Sequence, residues 1–237
     1  MSETAILMAA GMGSRMRPIT EKIPKPLVTV HGKAMIETII EGLRKRDIDK
    51  FYVVTGYLGE QFNYLEEKYG NLKTVANRDY QTINNISSIK AVSEVLINTD
   101  SDVFICEADL YVSDTGIFDA KLDHSCYYGR MVKGHSDDWV FEQDEKGRIT
   151  RVGKVGDDCF NMVGIAWFKK EDARKLGRLI DARYGKEGYE DLFWDDVVNE
   201  NLDELDLVVH EVRAGQLVEI DTVKELIDID PSYKSYE

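Results

Sequence analysis

The residues best suited to chemistry lie in one glycine-rich segment, which reads A-G-M-G-S-R-M-R-P-I-T-E-K-I-P-K-P-L over residues 10–27. Gly11 and Gly13 allow the backbone to bend sharply and to approach a ligand closely. Successive backbone N–H groups of such a loop can form a concave binding site for an anion. The segment also carries four cationic side chains, at Arg15, Arg17, Lys22 and Lys25. Together, these features predict a site for a phosphorylated ligand.

The spacing within this segment excludes two common phosphate-binding loops. No Gly-Lys-Ser/Thr sequence follows the glycines, as it would in a P-loop, and the third glycine of a dinucleotide-binding fingerprint is missing. Three of the chain's four prolines, Pro18, Pro24 and Pro26, restrict the backbone around Lys25.

The elements that position the segment follow from the hydrophobic pattern. The apolar run Ala5–Ala10 predicts a buried strand that ends at the glycines. The alternation of strands and helices that follows predicts βαβ units and a mostly parallel sheet. The further predicted strands are 51–55, 72–76 and 103–106, and the predicted helices begin at Met35, cover 60–69, and run from Asn84 or Asn85 to Leu96.

The pattern changes after about residue 112, where strands follow one another directly. Strands are predicted at 125–132, 138–142, 148–154, 162–168 and 207–212, and helices at 170–184, at 191–200 and after Asp221. The predicted fold class is therefore α/β, with a Rossmann-like, mostly parallel central sheet and a small antiparallel insertion. We expect one domain over residues 1–237, with halves at about 1–112 and 113–237.

The amino-acid composition restricts the classes of partner that the protein can bind. The 44 acidic and 30 basic residues give a net charge of −14, which would repel nucleic acids and anionic membranes. No apolar run reaches the roughly 18 residues of a membrane-spanning helix, and the N-terminus lacks the basic region of a signal peptide. The three cysteines form no C-x-x-C pair, so we predict a cytoplasmic protein without a disulfide framework.

The glycine-rich segment resembles the signature of the nucleotidyltransferases that activate sugar phosphates and phosphocholine with a nucleoside triphosphate. That signature reads G-x-G-[ST]-R-[LM]-x-P-x-T, followed by P-K-x-[LM]. Later segments resemble one subgroup, the bacterial CTP:phosphocholine cytidylyltransferases. These segments are G-Y-L-G-E-Q-F-N-Y-L-E-E-K-Y-G at 56–70, D-L-F-W-D-D at 191–196, N-L-D-E-L-D at 201–206 and E-I-D at 219–221.

The resemblance implies a nucleotide-binding first half. Arg15 would bind the β- and γ-phosphates, and Lys25 would bridge the α-phosphate and the incoming phosphate, so these two are the predicted catalytic residues. The predicted nucleotide-binding residues are Ala9, Ala10, Gly11, Gly13, Asn84, Asn85 and Ser88. Asn84 has a second interpretation, as the cap of the helix that follows it.

The resemblance also implies a magnesium site. Asp109, in C-E-A-D-L, and Asp221, in E-I-D, match the family's metal-binding aspartates, with Glu107 nearby in the sequence. Ala108 replaces the glycine that most sugar-activating relatives have before the first aspartate. Mg²⁺ prefers oxygen ligands and is typically held by one or two carboxylates together with substrate phosphates. A solvated strand end is the alternative interpretation of Asp109.

The second half would bind the acceptor. The trimethylammonium group of choline cannot donate an N–H hydrogen bond, so proteins typically bind it with aromatic faces and nearby negative charge. Trp139, Tyr189 and Trp194 are the predicted acceptor-binding residues, and acidic residues surround the last two. Packing in the core is the alternative interpretation of these aromatic residues.

The resulting hypothesis is a Mg²⁺-dependent cytidylyltransferase that makes CDP-choline and pyrophosphate from CTP and phosphocholine. The alternative acceptors are 2-aminoethylphosphonate and phosphoethanolamine, whose primary ammonium would favour carboxylates over an aromatic cage. A sugar 1-phosphate is less favoured, because the chain is short and departs from the sugar-binding segments of that branch. A catalytically silent regulatory subunit would lack part of the set Arg15, Lys25, Asp109 and Asp221, all of which are present.

Overall fold

In the computed structural model, which describes residues 2–236, strands and helices alternate along the first half of the chain. The strands are β1 (Glu3–Ala9), β2 (Thr29–Val30), β3 (Lys33–Ala34), β4 (Lys50–Thr55), β5 (Leu72–Ala76), β6 (Asp102–Glu107), β7 (Leu110–Val112), β8 (Cys126–Met131), β9 (His135–Gln143), β10 (Ile149–Asp157), β11 (Phe160–Phe168), β12 (Val208–Glu211) and β13 (Leu217–Glu219). The α-helices are α1 (Met35–Lys45), α2 (Tyr64–Tyr69), α3 (Ile86–Ala91), α4 (Ser93–Ile97), α5 (Lys170–Arg183), α6 (Trp194–Asn199) and α7 (Val223–Ile229).

The centre of the main sheet is parallel, in the order β6-β1-β4-β5. Met8 of β1 pairs with Glu107 of β6, so these two strands end side by side. The glycine-rich segment leaves the sheet at the end of β1, and Asp109 follows the end of β6. Parallel pairing therefore brings two predicted site segments to one edge of the sheet.

Antiparallel strands extend the same sheet beyond β6. Strand β11 pairs antiparallel with β6, β8 and β9, and β10 pairs antiparallel with β9. Strand β12 adds to β8 in parallel. Strands from both predicted halves of the chain thus join one sheet, and the predicted α/β class with a parallel centre and an antiparallel insertion is confirmed.

A two-stranded sheet that the sequence analysis missed links the two halves. Strand β7 pairs antiparallel with β13, with Leu110 opposite Glu219. Both strands are three residues long, which is too short to produce a recognisable hydrophobic alternation. This pairing carries the segment that contains Asp221 to the segment that contains Asp109.

The two faces of the main sheet are covered by different helices. Ala5, Leu7 and Ala9 point to the face covered by α1, whereas Ile6 points to the face covered by α3–α6. The helix predicted from Asn84 or Asn85 to Leu96 is interrupted at Val92, whose N–H donates to the Ile89 carbonyl three residues earlier. Within residues 2–236, every helix is too short or too polar to cross a lipid bilayer.

Candidate active site

A cavity of about 800 Å³ opens where β1 and β6 end. Small-molecule sites typically measure about 300–1,000 Å³, so this cavity can hold a nucleotide or a comparable ligand. Most of the predicted site residues line it: Ala9, Ala10, Gly11, Gly13, Arg15, Lys25, Asn85, Ser88, Asp109, Trp139 and Asp221. Asn84, Tyr189 and Trp194 do not.

Lys25 connects the two predicted metal-binding aspartates. Its Nζ lies 2.7 Å from Asp109 Oδ2 and 2.6 Å from Asp221 Oδ1, and the residue is only 7% exposed. Burial alone would lower the pKa of the Lys25 ammonium, but the two carboxylates raise it above its ordinary value. Arg15 Nη2 also contacts Asp221 Oδ1, at 2.8 Å, from a largely exposed position. The site therefore holds a fixed positive charge beside two carboxylates.

Backbone pairing explains how Asp109 and Asp221 meet. The Ile220 N–H donates to the Asp109 carbonyl at 3.3 Å, which continues the β7–β13 pairing. Beyond Asp221, helix α7 begins with a capping box in which Thr222 and Glu225 bond reciprocally. Glu225 Oε2 also accepts from the Asp221 N–H at 2.8 Å. Asp221 is thus held at a junction between a strand and a helix.

Gly13 allows the glycine-rich loop to close over Lys25. Its φ of +58° lies in the left-handed region, and a Cβ at this position would come within 2.8 Å of Lys25 Cβ. Thr20 Oγ1 donates to the Gly13 carbonyl at 2.8 Å and fixes the turn. Glycine is therefore required here both for backbone conformation and for space.

Gly13→Ala is expected to lower activity as well as stability, whereas Gly32→Ala should lower stability alone. Gly32, at φ +81° with open space around it, is the matched control, since Gly32→Ala introduces only the backbone strain. Gly32→Ala should lose about 1–2 kcal/mol of unfolding free energy, and Gly13→Ala should lose more, because its Cβ also meets Lys25 Cβ at 2.8 Å. Because a displacement of about 1 Å can cost about a hundredfold in rate, the smaller shift of Lys25 in Gly13→Ala should cost about tenfold in kcat.

Thermal unfolding and initial rates of both variants check this prediction. Equal activity in Gly13→Ala and Gly32→Ala would contradict the proposed contact between Gly13 and Lys25.

An acidic cluster completes the floor of the cavity. Carboxylate oxygens of Glu107, Asp109 and Glu219 lie within 4.8 Å of one another. Enclosure by protein, followed by repulsion from Asp109 and Glu219, raises the pKa of Glu107 well above its usual range. Enclosure and the charges of Asp109 and Asp221 raise the pKa of Glu219 to about 7, although its side chain still reaches the solvent of the cavity.

This cluster suits a divalent cation. Asp109 Oδ1 is buried and has no hydrogen-bond partner among the described residues, so it retains an open coordination position. Carboxylate oxygens are the ligands that Mg²⁺ prefers. Asp109, with Glu107 and Glu219 within 4.8 Å, therefore fits the predicted magnesium site, and Lys25 links Asp221 to Asp109 beside it.

The predicted nucleotide-binding residues after β5 divide into two groups. Asn85 and Ser88 line the cavity. The Asn84 side chain instead donates to the Asp191 carbonyl at 3.1 Å and accepts from the Asn85 N–H at 2.8 Å. Asn84 thus anchors the residue before α3 to the 190–191 segment and lies outside the cavity lining. Its alternative interpretation as a helix cap is not confirmed, because the N-cap residue of α3 is Asn85 and makes no side-chain capping bond.

Two aromatic rings form one wall of the cavity. Trp139 on β9 and Phe193 before α6 pack edge to face, with ring centres 5.2 Å apart and planes at 67°. The Lys154 Nζ lies 5.5 Å from the centre of the Trp139 ring and 5.0 Å from that of Phe193. These contacts are within the range of cation–π interactions.

The structure corrects the predicted positions of Trp194 and Tyr189. Trp194 is only 3% exposed and stacks on the Tyr127 ring at 5.5 Å, within the core between the sheet and α5. Tyr189 packs against Tyr184 at 4.8 Å, outside the cavity lining. The first turn of α6 directs Phe193, rather than its neighbour Trp194, towards the cavity.

Several cavity residues were missed or left without a role by the sequence analysis. Asp195 accepts from the Tyr127 hydroxyl at 3.0 Å, and burial raises the pKa of its carboxyl to about 7. Asn161 donates to Asp138 Oδ2 at 3.2 Å from β11. The sequence does indicate that Glu219 lies on the same side of the chain as Asp221, because alternate residues of an extended segment such as E-I-D share one side. Arg130, Lys154, Asn161 and Phe193 also line the cavity, and their own segments carry no such signal.

The chain resembles known nucleotidyltransferases both in sequence and in fold. The sequence profile described as "Nucleotidyl transferase" matches residues 4–130. A 2-aminoethylphosphonate cytidylyltransferase of Lancefieldella rimae is 49% identical over 97% of this chain and 92% of its own length. A choline-phosphate cytidylyltransferase of Streptococcus pneumoniae is 33% identical over 98% of each chain. The solved structure of a CTP:phosphocholine cytidylyltransferase from Streptococcus pneumoniae superposes with a TM-score of 0.87 at 32% identity, covering 98% of this chain and 99% of that one.

Proposed function

This chain belongs to the nucleotidyl transferase family, and on that premise we propose that it transfers the cytidylyl group of CTP to 2-aminoethylphosphonate. The products would be pyrophosphate and the cytidylyl ester of the phosphonate. The observation that carries this proposal is the 49% identity to a 2-aminoethylphosphonate cytidylyltransferase, against 33% to a choline-phosphate cytidylyltransferase, each over nearly the whole chain. This difference in identity favours 2-aminoethylphosphonate, an alternative acceptor of the sequence analysis, over phosphocholine, its main hypothesis.

The acceptor end of the cavity supports the same choice. Of the three aromatic residues expected to surround a trimethylammonium group, only Trp139 lines the cavity. Besides the acidic residues near Lys25, the lining includes the carboxylates of Asp137, Asp138 and Asp195. A primary ammonium has three N–H donors, and carboxylates accept them directly. Beside the rings of Trp139 and Phe193, the wall therefore offers carboxylates that suit a primary ammonium, which supports 2-aminoethylphosphonate over phosphocholine.

In the proposed reaction, an oxygen of the acceptor phosphonate attacks the α-phosphorus of CTP. A new P–O bond forms, the bond between the α-phosphorus and the oxygen that bridges to the β-phosphate breaks, and pyrophosphate leaves with that oxygen. An ionised phosphonate is already a nucleophile, so the residues need only hold two anions in line and neutralise the developing charge.

The roles of the chain's own residues follow from their positions. Lys25 is aimed by Asp109 and Asp221, so its ammonium can contact oxygens of the α-phosphate and of the acceptor without further reorganisation. Arg15, exposed at the cavity rim, can contact the leaving phosphates. The backbone of Ala10–Gly13 can approach the triphosphate closely, since no side chain intervenes at the glycines.

We propose that Asp109 and Asp221 hold one Mg²⁺ ion. When bound, the ion would neutralise phosphate charge and polarise the α-phosphate. The buried, unpartnered Asp109 Oδ1 supports this assignment.

A substrate panel tests the proposed function. Each of the four nucleoside triphosphates is combined with 2-aminoethylphosphonate, phosphoethanolamine, phosphocholine or glucose 1-phosphate, and pyrophosphate release is measured. We expect the highest kcat/KM with CTP and 2-aminoethylphosphonate, because the carboxylates of the acceptor wall can pair with its ammonium. Glucose 1-phosphate, which carries no cation, should be the poorest acceptor.

Two results of the panel would contradict the proposal. A higher kcat/KM with phosphocholine would restore the choline hypothesis, and absence of pyrophosphate release with every combination would indicate a catalytically silent relative.

A further inference from the structure

Lys154 is held on the aromatic wall by the pairing of two strands. Lys154 on β10 lies directly opposite Trp139 on β9 in the antiparallel register. Side chains at such positions are neighbours on one face of a sheet. The Lys154 ammonium therefore lies over the rings of Trp139 and Phe193 as a consequence of the strand register, and not of a loop conformation.

The ammonium has no acidic partner. Among residues 2–236, no carboxylate forms an ion pair with Lys154, although 44 of the chain's residues are acidic. Within the described part of the chain, the interactions of the Lys154 ammonium are those with the two rings. A cation of the protein itself thus already lies over the two rings that a quaternary ammonium would use.

We propose that Lys154 is a specificity-determining residue that excludes trimethylammonium acceptors from the aromatic wall and so selects a primary ammonium. The inference rests on the proposed function, since it concerns the acceptor of that reaction. A trimethylammonium group depends on aromatic faces, because it has no N–H to donate. At this wall it would meet the like charge of Lys154, which lies over both rings.

A primary ammonium has another place to bind in the same cavity. Asp138 is oriented by the Asn161 amide at 3.2 Å, and Asp195 by the Tyr127 hydroxyl at 3.0 Å. Asn161 Oδ1 has no hydrogen-bond partner among the described residues. These oxygens can accept the N–H groups of a primary ammonium without use of the aromatic rings.

The test compares two acceptors that differ only in the methyl groups on nitrogen, phosphoethanolamine and phosphocholine. Their dissociation constants are measured by isothermal titration calorimetry in the presence of a non-hydrolysable CTP analogue, and their KM and kcat in the pyrophosphate assay. The variants are Lys154→Met, which keeps most of the length of the side chain without its charge, and Lys154→Arg, which keeps a cation that can stack on aromatic rings. Lys146→Met, in the exposed turn between β9 and β10, is the matched control.

We expect Lys154→Met to shift the ratio of the two dissociation constants towards phosphocholine by about three- to thirtyfold, the range of a cation–π contact. The shift should appear in the acceptor KM, with kcat and the KM for CTP little changed. Lys154→Arg and Lys146→Met should keep the wild-type ratio.

Two outcomes would overturn the inference. An unchanged ratio in Lys154→Met would show that Lys154 does not discriminate between the acceptors. Equal weakening of both would assign Lys154 to the phosphate group that they share. Failure of the proposed function has a separate signature, since it would appear as poor turnover of 2-aminoethylphosphonate by the wild-type enzyme.

Discussion

Lys25→Met is expected to lower kcat by at least about a hundredfold while the protein remains folded. A preorganised donor at a position of developing charge typically contributes about 3–4 kcal/mol to the transition state, equivalent to two to three decades of rate. Lys25 meets this description, since it is buried and held by Asp109 and Asp221 at 2.7 and 2.6 Å. Steady-state kinetics with saturating CTP and acceptor measure the loss.

The control for this variant is Lys73→Met, at an exposed lysine on β5 outside the cavity lining. Its kcat should equal that of the wild type. Circular dichroism and thermal unfolding of both variants separate a catalytic loss from a folding defect, which matters because Lys25→Met leaves a cluster of carboxylates without its central cation. A folded Lys25→Met enzyme with wild-type kcat would remove Lys25 from the mechanism.

The second large effect concerns the carboxylates. Asp109→Asn and Asp221→Asn should each lower kcat by at least about a hundredfold and raise the Mg²⁺ concentration required for half-maximal rate, because both side chains are proposed to hold one ion. Asp228→Asn on α7 is the matched control, since Asp228 pairs with Lys224 on the exposed side of that helix.

A titration of Mg²⁺ against rate measures both quantities. Binding of Mn²⁺, followed by electron paramagnetic resonance, reports on the metal site independently of turnover and should weaken in the two site variants only. Full activity of the wild type in excess chelator would contradict the metal assignment whatever the variants do.

The part of the site formed by β1 and β6 was predictable because its signals are local. The apolar run before Gly11 predicts a strand, and the glycines and cations after it predict a loop for an anion. Parallel pairing of β1 with β6 then places Asp109 nearby. Resemblance to a family was needed for Asp221, since its approach depends on two strands of three residues each.

The acceptor wall could not be predicted from local pattern. Phe193 and Trp194 are adjacent aromatic residues, and the one that faces the cavity is decided by the packing of Trp194 against Tyr127 and Phe168 in the core. Lys154 carries no signal in its own segment, because its position over Trp139 depends on the register between β9 and β10. The sequence does not predict the interruption of the helix at Val92 either. The apolar residues Ile86, Ile89, Val92 and Leu96 keep a helical repeat across it.

A competition experiment tests the central claim, the transfer of a cytidylyl group to 2-aminoethylphosphonate, most directly. The enzyme is given limiting CTP, Mg²⁺ and equal concentrations of 2-aminoethylphosphonate and phosphocholine, and the products are identified by ³¹P nuclear magnetic resonance. In such a mixture the ratio of products equals the ratio of the two kcat/KM values, so it is independent of enzyme concentration. Our account predicts that the cytidylyl ester of 2-aminoethylphosphonate is the main product. A mixture dominated by CDP-choline would contradict it.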